Sequence, residues 1–230
     1  VLDVREFDGD DKDEDDRGLH MHPRFHRGCG GTGRLCYTAS MLKPELLLAA
    51  YCRGIFPMAT EGGQIEWFSP DPRGVIPLDE RFHVPHGLER TLKKKKFEVT
   101  FDAEFEQVMR ECSARAEGTW ISEEIVESYC ALHRFGHAHS VEARLEGKLV
   151  GGLYGVHIRG AFFGESMFHR CTDASKVALV ALVERLRANG FRLLDTQWLT
   201  PHLAQFGTYE VPRQEYLRLL AQAMKVECVF

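Results

Sequence analysis

Two short turns, Glu146-Gly147 and Arg159-Gly160, constrain this chain more than any other feature. They separate three runs of strand character. Ser140–Leu145 alternates apolar and polar residues, Leu149–Ile158 is apolar with many small residues, and Ala161–Phe168 is apolar and aromatic. Turns this tight join antiparallel neighbours, so a three-stranded meander is expected. A helix from near Asp173 to Asn189 should follow, with Leu179, Leu182, Val183 and Leu186 as its buried stripe and Gly190 as its stop. Phe191–Trp198 reads as another strand, and Pro212 opens a last helix to about Lys225. Together with the helices upstream, this order implies an α/β (α+β) fold with a mixed sheet.

Upstream, Pro44 suits the first turn of a helix running to Arg53, with Gly54 ending it. Trp67-Phe68-Ser69-Pro70-Asp71-Pro72-Arg73-Gly74 is a stiff, non-helical segment because prolines flank its aspartate. Leu88–Lys96 reads as a short basic helix and Phe97–Phe101 as a strand. Asp102 is expected to cap a helix running to about Arg115, and Ser122 with Glu123 and Glu124 another that stops at Gly136. Residues 1–36 differ in kind. Asp8–Asp16 is nearly all acid and Cys29–Gly33 is Gly-rich, so a solvated tail is expected there.

The strand Leu193-Leu194-Asp195-Thr196-Gln197-Trp198 draws attention because alternation puts Asp195 and Gln197 on one face. A carboxylate in such a strand needs a partner, and the spacing leaves two readings open: a structural hydrogen-bond network or a site. Glu165, within Phe162–Phe168 and expected among aromatics at a strand end, could hold a substrate ammonium by charge-assisted hydrogen bonds or pair with a basic residue at the core rim. Arg90 with Lys93, Lys94, Lys95 and Lys96 forms a basic face, either plainly solvated or in contact with phosphates. His133, His137 and His139 lie at a helix end, where histidines are commonly structural.

Several functions are disfavoured. Gly164–Phe168 resembles a hydrolase G-x-S-x-G elbow, but Phe168 occupies the position where the tight turn needs glycine. His169–Ser175 lacks the closely spaced glycines of a pyrophosphate loop, and Asp173 would repel an anion, which argues against coenzyme A. No metal is expected: His20, His22, His26 and Cys29 lack zinc-finger spacing. The seven cysteines form no C-x-x-C pair, no run is apolar enough to span a membrane, and no signal-type stretch opens the chain. Reduced thiols in a cytoplasmic location are therefore expected. The net charge of −5 neither announces nor excludes a nucleic-acid partner.

These motifs together resemble the leucyl/phenylalanyl-tRNA–protein transferase family. The resemblance runs from about Met41 to Leu220. It rests on Ala50-Tyr51-Cys52-Arg53-Gly54-Ile55-Phe56-Pro57, Trp67–Arg73, Gly118-Thr119-Trp120-Ile121, Gly136-His137-Ala138-His139-Ser140-Val141-Glu142, Leu149–Gly155, Gly164-Glu165-Ser166-Met167-Phe168, Ala174-Ser175-Lys176 and Asp195-Thr196-Gln197.

It implies a small N-terminal α/β domain over residues 37–80 and a domain of acyl-CoA N-acyltransferase-like (GNAT) fold over residues 81–230. The implied activity is transfer of Leu, Phe or Met from aminoacyl-tRNA to proteins beginning with Arg or Lys, tagging them for degradation, with no cofactor, membrane or DNA. Asp195 and Gln197 fall on the family's proposed catalytic pair, with Asp195 polarising Gln197, and Glu165 on a substrate-binding position. Leu153, Phe162, Leu179, Leu182 and Leu194 fall on the donor side-chain pocket, and Trp120 and Met58 on positions contacting the terminal adenosine. This chain departs from the family pattern at Met58, where Trp is usual, and at Gln205-Phe206-Gly207-Thr208. Two other readings are an acyl-CoA-dependent N-acyltransferase and a non-catalytic binder of basic N-termini.

Overall fold

The computed structural model describes residues 41–60, 62–114 and 118–230. The acidic and Gly-rich stretch and the histidines near Cys29 lie outside the described residues. Helix α1 (Pro44–Tyr51) has proline in its first turn, and the chain leaves it through Gly54 at φ +73°. Strands β1 (Phe56–Ala59) and β2 (Ile65–Phe68) form a separate antiparallel pair, Phe56 opposite Phe68. After a cis Asp71–Pro72 peptide comes β3 (Arg73–Ile76), then α2 (His86–Lys93), β4 (Glu98–Phe101), α3 (Phe105–Ser113) and α4 (Glu123–Arg134). The meander is β5 (Ala138–Leu145), β6 (Lys148–Ile158) and β7 (Ala161–His169). It is followed by α5 (Ala174–Ala188), β8 (Leu193–Gln197), α6 (Pro201–Ala204), β9 (Tyr209–Val211) and α7 (Arg213–Ala223).

Among the described residues, seven strands make one mixed sheet in the order β4-β5-β6-β7-β8-β3-β9, in which β7 and β8 pair parallel and the other neighbours antiparallel. Strand β3, which precedes residue 80, is therefore inserted between two strands from the end of the chain. Alternation sorts the strand residues between two apolar clusters, one on each face. Leu153, Phe162 and Leu194 pack with Leu179, Leu182 and Leu186 of α5, while Tyr154, Phe163 and Leu193 pack with residues of α1, α3, α4 and α7. Each of those buried leucines stabilises the fold by roughly 1.5–3 kcal/mol relative to exposure.

Some local expectations change. Asp102 does not cap α3; it sits at φ +56° and its carboxylate accepts from the Ser140 backbone N–H at 2.9 Å and His139 Nδ1 at 2.8 Å. The acid is used to close the end of β5, and the helix starts later, at Phe105. The basic helix is shorter than Leu88–Lys96 suggests. α2 ends at Lys93, and Lys95 turns the chain at φ +47°, so Lys94–Lys96 lie on the exit turn rather than on one helix face. Asp173 precedes α5 at φ +70°, and its side chain accepts from Thr91 Oγ1 at 3.0 Å instead of capping the helix. Ser122 caps α4 as expected, accepting from the Ile125 N–H at 3.3 Å. Among the described residues, no helix is long and apolar enough to cross a membrane, and no three metal-ligating side chains gather.

Candidate active site

The centre of the molecule is shaped by two β-bulges that lie on adjacent strands. Across β6 and β7 the register passes from Tyr154 opposite Ser166 to Gly155 opposite Gly164, so Glu165 has no residue facing it. Across β3 and β8 it passes from Gly74 opposite Gln197 to Val75 opposite Asp195, so Thr196 is the extra residue. Bulges bend a strand and redirect side chains. Here they coincide with the end of the parallel pairing between β7 and β8, whose last partners are Phe163 and Asp195. Gly155 permits the first bulge: a Cβ there would sit 2.3 Å from the Phe163 carbonyl oxygen.

Beyond that point an apolar pocket opens on the α5 side of the sheet. Leu153, Leu179, Leu182, Leu194, Met167 and Leu203 line it, and the two bulge residues Glu165 and Thr196 supply polar atoms. It encloses about 370 Å³ including its mouth, but its interior cavity is only about 30 Å³. Phe162 belongs to the same apolar cluster but does not line the pocket; its ring stacks on Phe230 at 5.5 Å.

On the opposite face lies a buried polar network. Asp195, with 0% exposure, receives four hydrogen bonds. Arg73 Nε (2.9 Å) and the Gln197 backbone N–H (2.8 Å) donate to Oδ1, and Arg73 Nη2 (2.7 Å) and the Tyr216 hydroxyl (2.7 Å) donate to Oδ2. Arg73, at 1% exposure, uses Nη1 on the Gly54 carbonyl at 3.0 Å, and its guanidinium lies between the rings of Phe56 (4.9 Å) and Tyr216 (4.6 Å). Burial works against that charge, but Asp195 more than compensates and holds the guanidinium firmly protonated.

Gln197 links the two halves. Its φ is +67°, and the Trp198 N–H returns to the Thr196 carbonyl at 2.7 Å, a tight turn that a non-glycine residue adopts at a cost of about 1–3 kcal/mol. Gly74 makes room for it, since a Cβ there would stand 2.7 Å from the Trp198 carbonyl carbon. The Gln197 amide Nε2 donates to Glu165 Oε1 at 3.1 Å and does not reach the Asp195 carboxylate. Asp195 thus meets Gln197 through its main chain, and the side-chain polarisation implied by the family resemblance is absent from this geometry.

Glu165 Oε1 also accepts from the Tyr51 hydroxyl at 2.7 Å, and Tyr51 in turn contacts the Tyr129 hydroxyl. Glu165 Oε2 is buried and has no hydrogen-bond partner among the described residues. Burial pushes the Glu165 carboxyl up to about 7; the Tyr51 hydrogen bond pulls against it, and the charge of Asp195 pushes with it.

Among the described residues, no hydrogen bond joins the other sequence-derived positions to this centre. Trp120 and Met58, 7% and 8% exposed, are packed in the cluster opposite α5, and the Trp120 carbonyl accepts from the Ala59 N–H at 3.1 Å. Neither offers an open stacking face. Arg90, Lys93, Lys94, Lys95 and Lys96 are exposed, and Lys95 and Lys96 border a surface groove with Phe97, Val99 and Val180. Arg73, Tyr51, Tyr129 and Tyr216 were not anticipated as members of the centre. The signal available for the first was its place at the end of Ser69-Pro70-Asp71-Pro72-Arg73, a segment otherwise read only as a stiff loop.

Two family models match the chain. Residues 75–221 match that of the leucyl/phenylalanyl-tRNA protein transferase, and residues 40–71 match that of its N-terminal domain. The chain belongs to this family. Relatives named leucyl/phenylalanyl-tRNA–protein transferase include one from Herpetosiphon aurantiacus, 59% identical, covering 82% of this chain and 98% of its own. Another from Akkermansia muciniphila is 58% identical over 80% of this chain and 97% of its own. A third, from Gloeobacter violaceus, is 53% identical over 82% of this chain and 97% of its own. Among solved structures, L-PGS from Bacillus licheniformis aligns over 70% of this chain and 55% of its own, at 14% identity and a TM-score of 0.38, too distant to bear on the fold. The transferase family models span α1, both bulges, the pocket and Arg73's partners Asp195 and Tyr216.

Proposed function

We propose that this chain, an aminoacyltransferase by family, moves Leu, Phe or Met from aminoacyl-tRNA onto the N-terminal α-amine of proteins beginning with Arg or Lys. The observation that carries the reading is the apolar pocket that ends on Glu165 and Thr196 where β7 and β8 part. An apolar donor side chain fills the pocket, and its ester carbonyl then lies at the polar rim. Discrimination among Leu, Phe and Met by such a wall amounts to about 1–3 kcal/mol per methylene-sized difference, whereas polar side chains would be buried without partners. Leu153, Leu179, Leu182 and Leu194 form the wall, and Phe162 supports it from behind.

Asp195 acts by holding Gln197, whose amide points at Glu165. Ester aminolysis needs little activation once amine and carbonyl are held together, so positioning can supply much of the acceleration. The mixed sheet flanked by helices, with its parallel β7–β8 pair, fits a GNAT-like fold for residues 81–230, with residues 37–80 as a small N-terminal domain that lends β3 to its sheet. The segment from His169 to Ser175 has no glycine, which favours tRNA over coenzyme A as carrier. Arg90 and Lys93–Lys96 supply phosphate contacts, and Trp120 with Met58 approaches the terminal adenosine once that region opens. No cofactor is invoked.

The test is transfer of labelled Leu from charged tRNA to a peptide with N-terminal Arg, with and without RNase pretreatment. RNase-sensitive labelling that falls at least about 100-fold in Asp195→Ala is expected. RNase-insensitive labelling from an acyl-CoA would replace this reading.

A further inference from the structure

We propose, resting on the aminoacyl-transfer reading, that Glu165 and not Asp195 takes the proton from the attacking α-amine, through its oxygen Oε2. An ionised carboxylate offers about four acceptor positions. Asp195 has all four engaged, two by Arg73, one by Tyr216 and one by the Gln197 main chain. A proton arriving there would have to displace a buried guanidinium from its counter-charge. Gln197 offers an amide carbonyl, which accepts a hydrogen bond but does not hold a proton. Glu165 Oε1 is filled by Tyr51 and Gln197, whereas Oε2 is buried without a partner among the described residues. Glu165 lines the pocket beside Thr196, whose Oγ1 is likewise unpartnered there. Glu165 therefore borders the pocket that seats the ester, and Oε2 is its oxygen left free to accept a proton.

The surroundings suit the role. The titratable groups around Glu165 are Tyr51 from α1, Tyr129 from α4, Arg73 from β3, Asp195 from β8 and Tyr216 from α7. Burial raises all three tyrosines, which stay neutral, and Arg73 is committed to Asp195. The Glu165 carboxyl is left titrating at about 7, close to the roughly 7.7–8.0 of a free α-amine, where proton transfer between the two is nearly balanced.

The step conserves protons. The neutral amine attacks the ester carbonyl carbon and a C–N bond forms as an N–H proton moves to Glu165 Oε2. The bond from that carbon to the ribose oxygen then breaks, and Glu165 returns the same proton to the oxygen. The products are an amide and a free ribose hydroxyl, with the carboxylate restored. Asp195, Arg73 and Gln197 are positioning residues in this scheme.

The experiment measures kcat/KM for an Arg-initiated peptide, with Leu-tRNA as donor, from about pH 5.5 to 9, in wild type and Glu165→Gln. The wild-type value should fall about 100-fold per pH unit below about pH 6.5, because enzyme and acceptor must each lose a proton. Glu165→Gln, with Leu-tRNA affinity within about threefold of wild type, should lose roughly 100- to 10,000-fold in rate and fall only about 10-fold per unit. A wild-type fall of 10-fold per unit overturns the proposal even if the variant does not fold. So does a folded Glu165→Gln protein that keeps wild-type rate. Wild-type protein that transfers nothing to the peptide removes the underlying reading, and this one with it.

Discussion

Arg73 carries a full charge into the core, flanked by two aromatic rings and tied to Asp195 by two hydrogen bonds. Such a pair adds little net stability over an apolar replacement, yet removing one partner strands the other. Arg73→Met should therefore cost about 3–5 kcal/mol in a urea titration. Arg73→Met combined with Asp195→Asn should recover part of that loss, because no buried charge is then left alone. At this scale the sequence showed only half of the centre. Asp195, Gln197 and Glu165 stood out because a polar residue in an apolar strand demands an explanation. Arg73 did not, because arginine after a Pro-Asp-Pro turn looks like any exposed loop residue, and the partner that draws it inward lies 122 residues away.

Strands β7 and β8 separate because each carries an inserted residue near the same level, and glycines without side chains absorb the resulting crowding. Gly74→Ala would put a methyl against the Trp198 main chain and disturb the turn that aims Gln197. The expected loss is about 1–3 kcal/mol by thermal or denaturant unfolding. Transfer activity should drop further than that loss explains, when assayed where the variant is still fully folded. Elements governed by neighbours along the chain were readable: Pro44 starting α1, Ser122 capping α4, and Gly136 and Gly190 ending helices at φ +77° and +78°. The bulges and β9 were not, since a bulge exists only relative to the opposite strand and β9 is three residues long. Asp102 misled for a related reason: a capping acid and an acid bonded to a distant strand end have the same local sequence.

Over the whole molecule the net charge is −5, so any hold on a polyanion must be local. Under the proposed function, that hold falls to the exposed cations of α2 and its exit turn. Lys93→Ala with Lys94→Ala should weaken tRNA binding alike for all charged species and lower the salt slope of log K by about 1 per lysine removed, read by filter binding across a salt series. The same molecule-wide view bears on β3, the early strand lodged between two late ones. A ribosome making about 5–20 residues per second exposes Arg73 roughly 6–24 s before Asp195. Throughout that interval the arginine can stay hydrated, and its counter-charge has yet to be made. A growing chain thus carries Arg73 without the carboxylate that neutralises it until β8 has been made, and the buried pair closes only near the end of synthesis of the described residues.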